Sequence, residues 1–228
     1  MKRTKIAVVG LGKLANAILS ADLSFQTGEL IAWEWFDKSS DEQAILIHAG
    51  SGRQLQECVE FCRRTGSVLV ELSTGLETET MHPAFPLIIC PNTSILVLKT
   101  MQMLRLSGSQ FSNYTISFTE SHQAAKTTEP GTAYALANSL SFPVDKIVSV
   151  RNPNVQQNEL AIPAEYLDKH AYHKIVITDG NDQVTIETKV LGHDSYAKGV
   201  KVIVESVLKH KFENKRYSVL DLIESRLL

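Results

Sequence analysis

Lys5 to Val9 is a short β-rich run that stops at Gly10, and beyond it Leu14, Ala17, Ile18 and Ala21 recur about one helical turn apart. The six residues Gly10-Leu11-Gly12-Lys13-Leu14-Ala15 therefore close a strand and open a helix. A strand followed at once by a helix points to a crossover unit, in which the next strand returns parallel to the first. The pattern continues. Leu30 to Phe36 reads as a second strand with Trp33 and Trp35 on one face, and Ala44 to Ile47 as a third. Leu55 to Arg63 is a helix with Leu55, Val59 and Cys62 on one side, and Val68 to Leu72 and Leu87 to Cys90 are further strands. This alternation predicts an α/β fold with a Rossmann-like, doubly wound parallel sheet over residues 1–93.

The texture changes after Pro91. Ile95 to Leu106 and Thr132 to Leu140 read as helices, and Tyr114 to Thr119 and Lys146 to Val150 as strands. Ile175 and Ile177, then Val184 and Ile186, alternate with polar residues around Asp179-Gly180-Asn181-Asp182, which is a hairpin signal. Tyr196, Val200, Ile203, Val204 and Val207 form the buried stripe of another helix. Residues 94–209 are thus expected to be an α+β substrate and oligomerisation domain with a mixed or antiparallel sheet. A short C-terminal helix in about 210–228 is expected to pack back on the first domain.

Charge and cysteine content exclude several function classes. With 23 Lys+Arg against 25 Asp+Glu the chain has a formal charge of -2, which gives no basic field for nucleic acid. No apolar run reaches the ~18 residues of a membrane span. Three cysteines, Cys58, Cys62 and Cys90, make no disulfide framework, so a cytoplasmic protein is expected. Cys58 and Cys62, four apart on a helix, are core residues in this reading, and His170, His173 and His193 lack the partners of a metal site. No metal is expected.

The Gly10–Ala15 turn has the context of a dinucleotide fingerprint: Gly10 for the tight turn, Gly12 for close approach of a pyrophosphate, and Ala15 for helix–strand packing. The acid that binds a ribose hydroxyl usually follows ~20 residues on. Asp37 and Glu34 are the candidates, with Asp37 preferred because it ends the apolar run. Only Lys38 to Gln43 then separate the second strand from the third, too few for a crossover of ~10–12 residues. The adenine-side wall of the nucleotide pocket is expected to be cut back.

The most informative stretch runs from Glu120 to Ala133, Glu-Ser-His-Gln-Ala-Ala-Lys-Thr-Thr-Glu-Pro-Gly-Thr-Ala. His122 and Lys126, four apart on a loop, can share a pocket: the imidazole moves a proton near neutral pH and the ammonium holds a carboxylate. Gly131-Thr132 at a helix start offers amides and a hydroxyl to a second anionic oxygen. The chemistry suits a small carboxylate-bearing substrate that must gain a proton.

This stretch resembles the signature of the dihydrodipicolinate reductase family, Glu-x-His-x-x-x-Lys before Pro-Ser-Gly-Thr-Ala. Leu72-Ser73-Thr74-Gly75 resembles its nicotinamide loop, Pro91-Asn92-Thr93-Ser94 its Asn-x-Ser turn, and Tyr196-Ala197-Lys198-Gly199 its Phe-Ala-Asn-Gly helix start. The resemblance implies an NADH- or NADPH-dependent reductase acting on a cyclic imine dicarboxylate in lysine and diaminopimelate biosynthesis. His122 would be the general acid and Lys126 a second proton donor and carboxylate contact, with Gln123, Gly131 and Thr132 on the substrate. Gly10, Leu11, Gly12, Lys13, Leu14, Ala15, Asp37, Leu72, Ser73, Thr74, Pro91, Asn92, Thr93 and Ser94 would surround the cofactor. A homotetramer or dimer is implied, with no nucleic-acid or membrane partner. The chain departs from the pattern at Gln123, where the family has a second His, at Thr128 for an Asp, and at Leu72 for a Gly. The Ser before Gly131 is missing, and His48-Ala49-Gly50 stands for Asp-Phe-Thr or similar. Two alternatives follow: reduction of another small imine or enamine carboxylate, and a non-catalytic homologue that binds nucleotide.

Overall fold

In the computed structural model, which describes residues 3–126 and 129–228, the chain alternates strand and helix as its apolar runs require. The elements are β1 (Thr4–Val9), α1 (Lys13–Ser20), β2 (Gly28–Ala32), β3 (Ile45–His48), α2 (Leu55–Thr65), β4 (Val68–Glu71), β5 (Leu87–Ile89) and α3 (Ile95–Ser107). There follow β6 (Thr115–His122), α4 (Gly131–Ser139), β7 (Val148–Val150), α5 (Pro153–Asn158), β8 (His170–Thr178) and β9 (Gln183–Leu191). The chain ends with α6 (Asp194–Lys209), β10 (Arg216–Ser218) and α7 (Val219–Glu224). Two compact units result, Met1–Ile95 with Tyr196–Leu228, and Leu96–Ser195.

The first unit is built on a six-stranded sheet in the order β10-β5-β4-β3-β1-β2, parallel throughout. Ala7, Val9, Leu46, Leu69 and Leu87 meet Leu55, Cys58, Val59, Phe61 and Cys62 of α2 in one apolar core. Strands covered on both faces read as continuous apolar runs, which is why β1 and β3 were visible in the sequence. The usual six-stranded order places a third strand outside the second. Here β2 is the edge, and residues 33–44 cross directly to β3 on the far side of β1. That connection has twelve residues rather than six, because β2 ends at Ala32 and Trp33–Trp35 form a 3-10 turn. The turn also separates the tryptophans expected on one strand face: Trp33 is 3% exposed and Trp35 78%. Trp33 stacks on Phe36, which meets Phe61 of α2 edge-on, so aromatic rings rather than a crossover helix close this part of the core.

The C-terminal boundary differs from the sequence expectation. From Tyr196 onward the chain belongs to the first unit, so nearly all of α6 lies there and not in residues 94–209. The cause is a close backbone approach. The Thr93 hydroxyl donates to the Tyr196 carbonyl at 2.9 Å, and a Cβ on Gly199 would stand 1.6 Å from the Thr93 carbonyl oxygen. Gly199→Ala should therefore destabilise the fold by about 3 kcal/mol, a large overpacking cost. Thermal unfolding by circular dichroism should show a fall in Tm of about 5–10 °C. An unchanged Tm would mean that the contact is not required.

The second unit carries a four-stranded mixed sheet, β7-β6-β8-β9, with β6 parallel to β7 and antiparallel to β8. Two elements went unread in the sequence. β10 joins the first sheet by pairing with β5, and α5 starts at Pro153 behind the side-chain cap of Asn152. Among the described residues no helix is long and apolar enough to cross a membrane.

Candidate active site

The carboxyl ends of parallel strands fall at one sheet edge, and ligands of such sheets bind there, where the strand order reverses. In this chain the reversal lies between β1 and β3. Gly10 leaves β1 at φ 126, a conformation glycine tolerates, and an added Cβ would meet the Ala49 carbonyl oxygen at 2.6 Å. Gly12 is the N-cap of α1, with open space where a Cβ would stand; neither a capping side chain nor an acid occupies that helix start. Leu11 and Lys13 are exposed, Leu14 is half-buried, and Ala15 packs fully buried. An uncapped helix start behind an open glycine fits a pyrophosphate.

The other cofactor candidates reach the same edge from β4 and β5. Leu72 is buried and its amide bonds to the His48 carbonyl, while Ser73 receives the Ser51 amide on its hydroxyl and Thr74 is exposed. Pro91, Asn92, Thr93 and Ser94 follow β5, where the Asn92 side chain accepts the Ser94 amide in a tight turn. Asp37 stands apart. It lies five residues beyond β2, exposed, and its Oδ1 already accepts the amide and hydroxyl of Ser39 at 3.0 and 2.6 Å. Those bonds hold its carboxyl below the usual range.

The candidate proton-handling groups are on the second unit. Glu120 and His122 share one face of β6, as strand alternation requires, and Glu120 pairs across the sheet with Ser149 of β7 and His173 of β8. Glu120 is fully buried. Its Oε2 accepts the His122 Nδ1–H at 2.7 Å, while its Oε1 accepts Arg151 Nη2 at 2.7 Å and the Ser149 hydroxyl. Burial would raise this carboxyl, but the bonds from His122, Arg151 and Ser149 outweigh it and hold it at about 2. Glu120 is consequently an anion at any working pH, Nδ1 of His122 is always the protonated nitrogen, and Nε2 is left to exchange a proton.

Three further groups shape the surroundings. His173 is buried against the His122 ring, 6.0 Å between centroids and edge-on, and burial lowers its pKa to about 4, so it stays neutral. Gln156 of α5, also buried, donates to the His122 carbonyl at 2.8 Å and to Ser121 Oγ at 3.0 Å. His170 bonds Ser121 and the Tyr166 carbonyl. These roles account for two of the three histidines weighed as metal ligands. Among the described residues no group of three or more His, Cys, Asp or Glu is placed to hold a metal.

Gln123 and Lys126 close a turn after β6, the Lys126 amide bonding the Gln123 carbonyl at 3.0 Å. Burial lowers the Lys126 pKa, and the nearby Arg151 charge lowers it further against the pull of Glu120. Lys126, Arg151, Glu120 and His122 are thus one electrostatic cluster. Gly131 and Thr132 begin α4, whose N-cap is Pro130 and whose first turn holds no acid. Thr127 and Thr128 lie outside the described residues. Sequence reasoning quoted Glu120 without a role and missed Ser149, Arg151 and Gln156, which no local motif marks.

A family model described as "Dihydrodipicolinate reductase, C-terminus" matches residues 97–223. Among curated proteins, 4-hydroxy-tetrahydrodipicolinate reductase 1, chloroplastic, of Arabidopsis thaliana is 26% identical over 150 residues, covering 60% of this chain and 43% of the relative. The chain spans about half the length of the curated relatives it matches. Among solved structures, dipicolinate-bound dihydrodipicolinate reductase from Paenisporosarcina sp. TG-14 aligns with TM-score 0.68 at 16% identity, covering 97% of this chain and 99% of that one. The C. glutamicum DAP dehydrogenase in complex with DAP aligns with TM-score 0.56 at 10% identity, covering 100% and 96%. At these identities the two structures speak for the fold.

Proposed function

The chain belongs to the dihydrodipicolinate reductase family, and from that premise we propose that it reduces 4-hydroxy-tetrahydrodipicolinate (dihydrodipicolinate) to tetrahydrodipicolinate with NADH or NADPH, in lysine and diaminopimelate biosynthesis. The observation that carries this reading is the bond from His122 to the buried Glu120 carboxylate, with Lys126 and Arg151 in its field. A nicotinamide cofactor supplies the hydride when bound. The Gly10–Ala15 turn and the start of α1 would hold its pyrophosphate, with Leu72 to Thr74 and Pro91 to Ser94 along the same sheet edge. Asp37 is retained for the ribose on condition that Ser39 releases its carboxylate.

The substrate is a dianion, and the cations of unit 2 suit it. Lys126 holds one carboxylate, and Gly131 and Thr132 at the start of α4 take the other, with Gln123 as a neutral hydrogen-bonding contact. The 4-hydroxyl leaves as water to give the unsaturated dihydrodipicolinate ring, and hydride addition to that ring leaves an enamine that needs one proton. Doubly protonated His122 gives up the proton on Nε2 and returns to the neutral form with Nδ1–H on Glu120, so the carboxylate keeps the ring aimed throughout. Unit 1 is then the cofactor-binding unit and unit 2 the substrate and oligomerisation unit. A homotetramer and a cytoplasmic setting complete the proposal, the latter in keeping with three buried free thiols.

The test is direct. Tryptophan fluorescence follows binding of NADH and NADPH, and absorbance follows their oxidation with substrate generated enzymatically in place. Saturable binding with turnover is expected. Binding without turnover on this substrate would point to another imine carboxylate or to a nucleotide-binding homologue, and binding of neither nucleotide would overturn the cofactor assignment.

A further inference from the structure

His48 and Glu71 close neighbouring parallel strands and face each other in register, and both are fully buried. The His48 ring has an acceptor at each nitrogen. Nδ1 lies 2.8 Å from Glu71 Oε1, and Nε2 lies 2.9 Å from the Arg53 carbonyl. The Arg53 carbonyl can only accept, so Nε2 bears a proton; with Glu71 ionised, Nδ1 bears the second and the ring is a cation. Glu71 Oε1 also receives the Ser73 amide at 2.7 Å, while its Oε2 is buried with no partner among the described residues. A carboxylate so sparsely bonded stays buried only against a full positive charge.

The bonds lead to the loops at the nucleotide edge. Residues 49–54 include Ser51, Gly52 and Gln54 at positive φ, and non-glycine residues keep that conformation only where their surroundings hold it. Holding is supplied by the Nε2 bond to Arg53 and by the Ser51 amide on Ser73 Oγ. Ala49, first residue of this loop, donates its amide to the Val9 carbonyl and stands where a side chain on Gly10 would clash. One ion pair therefore ties the loop after β3 to the loop after β4 and braces the glycine turn after β1.

We infer that His48 and Glu71 are positioning residues for nucleotide binding, a buried ion pair that locks the two loops bordering the phosphate turn and works only while His48 keeps both protons. The inference rests on the cofactor-binding reading above. His48 occupies a position where the family pattern has a different residue, so the device belongs to this chain's own sequence. Burial pulls the imidazolium down, but the Glu71 bond and charge outweigh it, so His48 stays protonated to higher pH than an ordinary histidine. Among the described residues, Cys58 of α2 also lies in the field of Glu71, and burial and the Glu71 charge push its thiol up to about 12, leaving it neutral. As pH rises and His48 loses a proton, only one acceptor can be served, and a loop is released.

NADH is the suitable probe, since it lacks the titrating 2′-phosphate of NADPH. Its Kd would be measured on the full chain from pH 6 to 10 for wild type, His48→Gln and the double variant His48→Gln/Glu71→Gln, each checked for fold by circular dichroism. The wild-type Kd should rise about tenfold across the alkaline range, the worth of one charge-assisted hydrogen bond. Both variants should bind weakly and without that pH dependence. Parallel wild-type and variant curves would overturn the role while leaving the cofactor reading intact. If neither variant folds, nitrogen NMR of the wild-type imidazole decides, two ring protons at pH 7 supporting the pair and one refuting it. A wild type that binds neither NADH nor NADPH at any pH would remove the reading and this role together.

Discussion

His122→Ala should lower reductase turnover by about 10²- to 10⁴-fold, the usual worth of a positioned general acid, while leaving the Kd for NADH or NADPH unchanged. The two effects separate because His122 ends β6 in unit 2, whereas the proposed pyrophosphate turn is in unit 1. Stability should fall by about 1–3 kcal/mol, because Glu120 keeps Arg151 and Ser149 on Oε1 while its buried Oε2 loses the imidazole. Stopped-flow turnover paired with equilibrium nucleotide binding checks both halves. Turnover within threefold of wild type would move the proton donor elsewhere, and Lys126 would be the next residue to replace. Loss of nucleotide binding in the same variant would mean that the substitution had disturbed the fold.

What the sequence shows and what it hides divides along a physical line. Runs such as Ile6-Ala7-Val8-Val9 and Ile45-Leu46-Ile47 are apolar because both faces of a parallel strand are covered, so they are legible one residue at a time. Arg216-Tyr217-Ser218 has no such signature and becomes a strand only because β5 offers an open edge. Trp33 and Trp35 have strand spacing, but the chain turns at Ala32 to pass over β1, and a 3-10 turn sends the two rings to opposite environments. At the site, His122 and Lys126 are near neighbours in sequence and were readable together. Ser149 and Arg151 reach Glu120 from 29 and 31 residues away, through the β6–β7 pairing. His48 and Glu71 are likewise 23 residues apart and meet through strand register. Local motifs name the candidate proton donor; the groups that bond it arrive by long-range pairing.

Glu120→Gln should damage both stability and turnover, for reasons visible in the geometry. Oε1 is the side with two donors, Arg151 and Ser149, so the amide oxygen takes that place and the new –NH₂ faces His122 Nδ1. A donor there forces Nδ1 to become an acceptor, and the neutral ring then carries its proton on Nε2, the wrong tautomer. Turnover should fall by roughly 10²- to 10⁴-fold, as when the carboxylate behind a catalytic histidine becomes an amide. The stability cost has a definite pH dependence. The folded carboxyl sits at about 2, below its ordinary 4.5, so it contributes stability above the unfolded value that is lost as pH falls through the folded one. That contribution is about 3 kcal/mol at neutral pH for a shift of this size. The Tm gap between wild type and Glu120→Gln should therefore be wide at pH 6–7, begin to close below about pH 4.5, and nearly vanish towards pH 2. A gap that stays constant over that range would show that the variant loses packing rather than charge. His122→Ala keeps the carboxylate with Arg151 and Ser149 but loses the imidazole bond, so its acid limb should be shallower than wild type yet still present, and the two variants together assign the ionised group to Glu120.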